Sequence, residues 1–395
     1  MSRKYLGLVG LAVAAILVAS SVTGYAASQV KDGKIKAAFI YVGPKDSGWS
    51  YMHDVARRYI NEKFPWLETV YAEDVSEAEI GHCIRRFIVE EGCNVVFTTS
   101  FAFMDATLEA AKKYPHTIFF NCSGYKRAPN VGTYFAESYQ LYYLNGLMAG
   151  VLTRTDKIGY VASYPTPEIV RHINAFALGV KEVNLGATVD VRWLFAWYDP
   201  TKVRTAAESL IQEGCDVLAF TEDSPTVVKV GQEYTEKERS VYTFANYSPM
   251  QKLGPDSCVS GQLVHWEVLY EDILAKIYAG VYTSRNLVDV DYWWMLREKA
   301  VELGGEFGVP INPEFESIFK EQEIADPLLG KISVYDLIMK RLEQMREVTV
   351  LFDPFTGPIK DQEGKVRIEV GQRASHDELW TMDWSVENIV GKLPR

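Results

Sequence analysis

The sequence predicts an α/β protein built as two doubly wound parallel-sheet lobes joined by a hinge, and three observations carry that expectation. The chain has 395 residues, too many for one ordinary core and suited to two domains. It repeats itself: RRFIVEEGCNVVFTTSF, from Arg85 to Phe101, is echoed by AESLIQEGCDVLAFTED, from Ala207 to Asp223. Inside each copy a helical apolar spacing stops at Gly92 or Gly214. A β-rich run follows, Val95 to Thr98 or Val217 to Phe220, as when a helix feeds a parallel strand.

The elements follow in chain order. Arg3 and Lys4 precede an apolar run from Tyr5 to Val18, with small residues through Gly24 and Ala26, which predicts a signal peptide over residues 1–26. The run is short for a membrane span, and no lipid-carrying cysteine follows it. The mature chain is therefore expected in the periplasm or outside the cell. KAAFIYVGPKDSGWS from Lys36 aligns with KIGYVASYPTPEIVR from Lys157, at an offset of about 121, each a strand ending in a Gly/Pro/Ser loop. IFFNCSG after Ile118 and VYTFANYS after Val241 are again strands, each ending in a polar loop that carries an Asn.

These units place lobe one at 35–155 and lobe two at 156–285, each completed by part of the C-terminal region. Residues 286–395 are expected to supply crossing strands and a helical extension. Leu287 to Met295, Val348 to Phe355 and Val366 to Val370 read as strands, Pro313 to Arg346 as a charged helical stretch, and Asp353 to Pro358 as a turn.

Composition removes several functions. With 41 basic against 52 acidic residues the net charge is -11, which opposes binding to a phosphate backbone, so no nucleic-acid partner is expected. Gly43 and Gly48 have the spacing of a P-loop, but Trp49 and Ser50 stand where Lys and Ser/Thr are required. The histidines are scattered without ligand spacing, and no carboxylate forms a recognisable pair with His or Ser, so neither a metal, a cofactor nor catalysis is expected. The five cysteines read as buried thiols, with a bridge between Cys83 and Cys93 left open. The chain's 23 Tyr, 18 Phe and 9 Trp hint at a ligand site lined with rings.

In doubly wound sheets ligands bind outside the carboxyl ends of the strands, where loops and helix N-termini offer unpaired N–H groups. Those loops are Gly43 to Tyr51, Thr99 to Phe103 and Asn121 to Tyr125 in lobe one. In lobe two they are Ser163 to Asn174, Thr221 to Thr226 and Ala245 to Pro249.

The same loops resemble the basic membrane protein family of solute receptors, which includes purine nucleoside receptors. The resemblance rests on YVGPKDSGWSYMHDVAR (Tyr41 to Arg57), YFAESYQLYYLNGLMAG (Tyr134 to Gly150) and KIGYVASYPTPEIVRHINAFALGV (Lys157 to Val180). WYDPTK (Trp197 to Lys202), TEDSP (Thr221 to Pro225) and FDPFTGPIKDQEGKV (Phe352 to Val366) extend it over most of the chain after residue 35. It implies a type I periplasmic-binding-protein fold and a binding protein for an ABC importer, monomeric and partnered by a membrane permease. The GWxxxHD and INAF blocks look more like the nucleobase branch than the nucleoside branch. Two departures bear on the ligand. A long charged stretch through Arg346 replaces the family's short link, and TEDSP lacks the His expected before its acidic residue.

A planar heterocycle wants rings on its faces and directed donors and acceptors around its edge. Trp49 and Trp197 are the expected stacking residues, with Phe101 in reserve. Asp46, Ser100, Asn174 and Asp223 are the expected edge contacts, although Asp46 and Asp223 equally suit helix caps. Glu168 and Arg171 lie one helical step apart and have the spacing to pair with each other. The ligand expected in the interlobe cleft is a purine base, adenine-like, or a nucleoside. Alternatives are a sugar or amino acid, or a sensing ectodomain in place of an import protein.

Overall fold

The computed structural model describes residues 33–46, 48–347 and 352–394. The predicted signal peptide lies outside them, as do residues 348–351 of the strand expected from Val348. The first half of the chain runs β1 (Ile35–Ile40), α1 (Gly48–Lys63), β2 (Leu67–Ala72), α2 (Ile80–Val89), β3 (Val95–Thr98), α3 (Met104–Lys113), β4 (Ile118–Cys122), β5 (Val131–Ala136), α4 (Tyr139–Leu152), β6 (Lys157–Ala162), α5 (Pro167–Val183) and β7 (Thr188–Trp193). Next come α6 (Pro200–Gln212), β8 (Val217–Thr221), α7 (Thr226–Thr235), β9 (Tyr242–Tyr247), β10 (Cys258–Val264), α8 (Trp266–Tyr278), β11 (Asp291–Trp294) and β12 (Val301–Leu303). The C-terminal part adds α9 (Glu316–Glu321), β13 (Glu323–Asp326), β14 (Gly330–Ser333), α10 (Val334–Arg346), β15 (Ile359–Lys360), β16 (Val366–Ile368), α11 (His376–Trp380) and β17 (Ile389–Val390).

The chain divides into two units. Unit one holds residues 33–42, 55–134 and 269–292, and unit two holds 43–54, 135–268 and 293–394. Unit one carries the sheet ordered β11-β5-β4-β3-β1-β2, in which β1 pairs parallel with β2 and β3, and β4 with β3 and β5. Its core is apolar strand residues such as Ala38, Val96 and Phe119 under Ile84 and Phe87 of α2. Unit two carries the sheet ordered β12-β10-β9-β8-β6-β7-β17, whose central strands are likewise parallel. Its core packs Val161, Leu218 and Phe220 against Leu210 of α6 and Val228 of α7. In both sheets the order reverses at the first strand, β1 or β6, so the crevice at the carboxyl ends opens between that strand and β3 or β8.

The repeated helix stops behave as the sequence indicates. Gly92 and Gly214 have φ of +73 and +101, left-handed values that let each helix end and turn into its strand. Asp199 caps α6 by accepting from the Lys202 N–H at 3.0 Å, with Pro200 in the first turn.

Helix α4, buried along nearly its whole length, packs along α5 and so belongs with unit two. The later part of α8 belongs with unit one, because Tyr270 packs edge-on to Phe39 of β1 and Phe97 of β3 at 4.9 and 5.0 Å. The charged stretch from Pro313 to Arg346 is two helices broken by the β13–β14 hairpin. The break is local: Asp326 accepts from the N–H groups of Leu328 and Leu329 at 2.8 and 2.7 Å, and Gly330 has φ +74. Arg341 of α10 then donates to buried Asp326 at 2.6 Å. All five cysteines are free thiols, Cys83 half-buried and the others buried, so Cys83 and Cys93 are not bridged.

Candidate functional site

The residues that converge in unit two come from the loop before α1, the ends of β5, β8 and β9, and the starts of α5 and α8. Gly48 opens α1, and its N–H donates to the Asp223 carbonyl at 2.9 Å. A Cβ there would lie 3.0 Å from that oxygen, a tight contact that glycine avoids. The turn delivers Trp49 to the interior, where it is 6% exposed.

Three rings meet Trp49 edge-on: His53 at 4.9 Å, Tyr247 at 4.9 Å and Trp266 at 5.1 Å, with Phe135 tilted at 6.5 Å. Trp266 in turn stacks on His53 at 4.2 Å. Edge-to-face contacts put the positive rim of one ring against the negative face of another, which orients the cluster beyond simple burial. Tyr247 ends β9 with φ +60, a left-handed value that is strained for a tyrosine.

Acidic groups lie beside these rings. Asp223 follows β8 and is 7% exposed, with its N–H donating to the Trp197 carbonyl at 3.0 Å. Burial, then the charges of Glu222 and Glu168, push its carboxyl well above the ordinary range. Glu222 accepts from the N–H and hydroxyl of Ser224, both at 2.8 Å, and from the Asp199 N–H at 3.2 Å. Burial pushes it up to about 7 despite those bonds.

Deeper in the unit, Glu137 after β5 is fully buried and accepts from Arg171 at 2.6 and 2.9 Å, from His172 Nε2 at 2.9 Å and from the Tyr139 N–H at 2.8 Å. Burial alone would raise its pKa, but Arg171 and His172 more than offset that and hold it at about 2. Arg171 thus pairs with Glu137, and the expected partnership with Glu168 is not made. Burial pushes the His172 imidazole down, against the pull of Glu137.

Asn246 fixes the loop after β8. Its amide donates to the Glu222 carbonyl at 3.0 Å while its oxygen accepts from Tyr142 and Gln262 at 2.8 and 2.7 Å. In unit one Asn121 occupies the matching repeat position and donates to the Ser100 carbonyl, in the loop after β3, at 3.0 Å.

Of the residues singled out from sequence, Trp49 and Asp223 lie in this part of unit two. Trp197 is half-buried there, 5.1 Å from Tyr164, and Asp46 is exposed in the loop before α1. Asn174 is fully buried with both ends of its amide engaged. It donates to the Trp384 carbonyl at 2.7 Å and accepts from the Val386 N–H at 3.0 Å, so it anchors the C-terminal segment. Ser100 and Phe101 belong to unit one. Ser100 caps the short turn after β3 by accepting from the Ala102 N–H at 3.2 Å, and Phe101 is half-buried 6.3 Å from Tyr125. Sequence reasoning did not single out Phe135, Glu137, Tyr247 or Trp266. Glu137 had a readable signal as the one charge in the apolar run from Tyr134 to Gly150.

Among the described residues, no cluster of three or more His, Cys, Asp or Glu side chains is placed to hold a metal ion, and no helix is long and apolar enough to cross a membrane.

The family described as ABC transporter substrate-binding protein, PnrA-like, matches residues 34–331. A purine-binding protein of Brucella abortus is 32% identical over 365 residues, covering 92% of this chain and 95% of its own. A Haloferax volcanii protein, whose name assigns it to glucose binding for an ABC transporter, is 34% identical over 298 residues, 74% of this chain and 73% of its own. A solved structure of an ABC transporter solute-binding protein from Aeropyrum pernix shares the fold, with a TM-score of 0.62 at 17% identity over 87% of this chain and 95% of its own. Membership of this family makes the chain a binder of a small solute for a membrane permease, and not an enzyme. The chain belongs to the PnrA-like family of ABC transporter substrate-binding proteins.

Proposed function

We propose that this chain is the exported solute-binding subunit of an importer for purines, with a purine base as its first ligand and a nucleoside as the second choice. The observation that carries the reading is the pairing, in unit two, of Trp49 in a nest of rings with the buried carboxyl of Asp223. A base such as adenine offers a flat π-face and N–H donors on its edge. Rings bind the first and a carboxyl oxygen accepts from the second. The name of the Brucella relative supports a purine.

The proposed contacts are Trp49 and Asp223, with Trp197 as a second ring and Asp46, Ser100 and Phe101 as further contacts. Asn174 is left out because its amide is engaged. Export through the segment 1–26 belongs to the same proposal, and so does a monomeric state.

A sugar ligand is the second reading, favoured by the name of the Haloferax relative. A thermal-shift screen of purine bases, nucleosides, glucose and amino acids separates the two, because a ligand that binds only the native state raises its melting temperature. A purine should give the largest rise, and Trp49→Ala should abolish it. A rise with glucose alone sinks the purine reading.

A further inference from the structure

The family match ends at residue 331, yet residues 352–394 form a tightly anchored part of unit two. Arg171 donates to the Leu379 carbonyl at 2.6 Å, Asn174 holds Trp384 and Val386, and Asn388 donates to the Ala177 carbonyl at 2.9 Å. Strand β17 adds to β7, and α11 is fixed at its start by a reciprocal cap between Ser375 and Glu378. Phe355, Leu379, Met382 and Val386 are among the buried apolar residues of this segment.

None of these anchors needs Trp380, which is half-buried. Its indole meets Trp293 edge-on at 4.9 Å, and its Nε1–H donates to His376 Nε2 at 2.8 Å. The Arg171 guanidinium sits 4.7 Å from the Trp293 ring and 5.5 Å from the Trp380 ring. Both tryptophans lie beside Phe135, at 6.1 and 6.3 Å, and Phe135 is the ring that reaches Trp49. Two half-buried indoles thus continue the aromatic nest outward, oriented by a hydrogen bond and by a cation that Glu137 holds in place. Packing accounts for the position of α11 but not for a large aromatic left partly open at its end.

We propose that Trp380, with Trp293, forms a second aromatic wall of the ligand site and sets its preference for a planar heterocycle over a sugar. The inference rests on the purine reading above. Trp380, outside the family match, would then act with Trp293, inside it, to decide what the site accepts.

The test uses the full chain and its Trp380→Ala and Trp380→Phe variants, titrated with adenine, adenosine and glucose, alongside the melting temperature of each protein without ligand. Stacking on an indole predicts that Trp380→Ala loses at least about fivefold in adenine affinity. Trp380→Phe should retain most of that affinity, glucose binding should change less, and the ligand-free melting temperatures should stay close to that of the parent. Adenine binding unchanged in Trp380→Ala overturns the proposal. So does a loss of affinity that merely follows a drop in melting temperature and that phenylalanine does not rescue. If the parent binds neither adenine nor adenosine, the purine reading falls first, and this wall falls with it.

Discussion

The Gly48 N–H and the Asp223 carbonyl meet at 2.9 Å, a backbone bond that joins the loop before α1 to the end of β8. It places Trp49 and the Asp223 carboxyl in the same part of unit two. Gly48→Ala would push a methyl to 3.0 Å from that oxygen, and the backbone must shift to relieve it. The expected outcome is a modest stability loss of about 1–2 kcal/mol, with a larger loss of ligand affinity. Melting curves and equilibrium titration on one preparation separate the two effects.

Removing the Trp49 ring leaves a cavity among His53, Phe135, Tyr247 and Trp266. Trp49→Ala should cost about 3–5 kcal/mol in denaturant unfolding. Trp49→Phe should recover much of that, since it keeps a ring for the edge contacts.

Glu137 and Arg171 form a fully buried pair, so breaking it leaves a charge without compensation. Glu137→Gln should destabilise by about 3–5 kcal/mol. The same pair predicts acid sensitivity. The Glu137 pKa is about 2 in the fold against an ordinary 4.5, so its contribution is full above about 4.5 and disappears as pH falls towards 2. A melting-temperature profile from pH 6 to pH 2 should therefore fall less steeply for Glu137→Gln than for the parent chain.

His265 has the opposite dependence. Its imidazole lies between Glu267, 2.7 Å from Nδ1, and Glu302, 2.8 Å from Nε2. Burial opposes the charged form, but the two carboxylates prevail and raise the pKa from 6.5 to about 9. The stability it contributes is full below about pH 6.5 and lost as pH rises through about 9, on the order of 2 kcal/mol after solvent screening. His265→Gln should flatten the melting-temperature profile between pH 7 and pH 10, and an unchanged slope would contradict the assignment.

Much of the fold was legible because each repeat writes its own boundaries. Val95 to Thr98 is a strand as expected, and Gly92 and Gly214 have the left-handed angles that a helix stop needs. The long charged stretch was read as helix because its polar periodicity hides the turn at Asp326 to Gly330, which depends on one side chain bonding to its own loop. The partners of α4 and α8 are distant in sequence, so local patterning does not show which unit each helix packs with. At the site, Trp49 and Asp223 were accessible from strand-end loops, whereas Phe135, Tyr247 and Trp266 read as ordinary core aromatics. The bonds from Asn174 to the backbone of Trp384 and Val386 were not legible, because a buried amide on a helix face looks the same in sequence whatever it holds.

The central claim is that unit two binds a purine through the Trp49 ring and the Asp223 carboxyl. The most direct measurement is calorimetric titration of adenine into the full chain and into Asp223→Asn. The account predicts saturable one-to-one binding by the parent chain and a loss of about tenfold or more in the variant, because N–H donors of the bound base favour the ionised carboxyl, whose two oxygens both accept, whereas the amide presents one acceptor and an unmatched N–H. Equal affinity in both proteins, or no heat with adenine where glucose saturates, would contradict it.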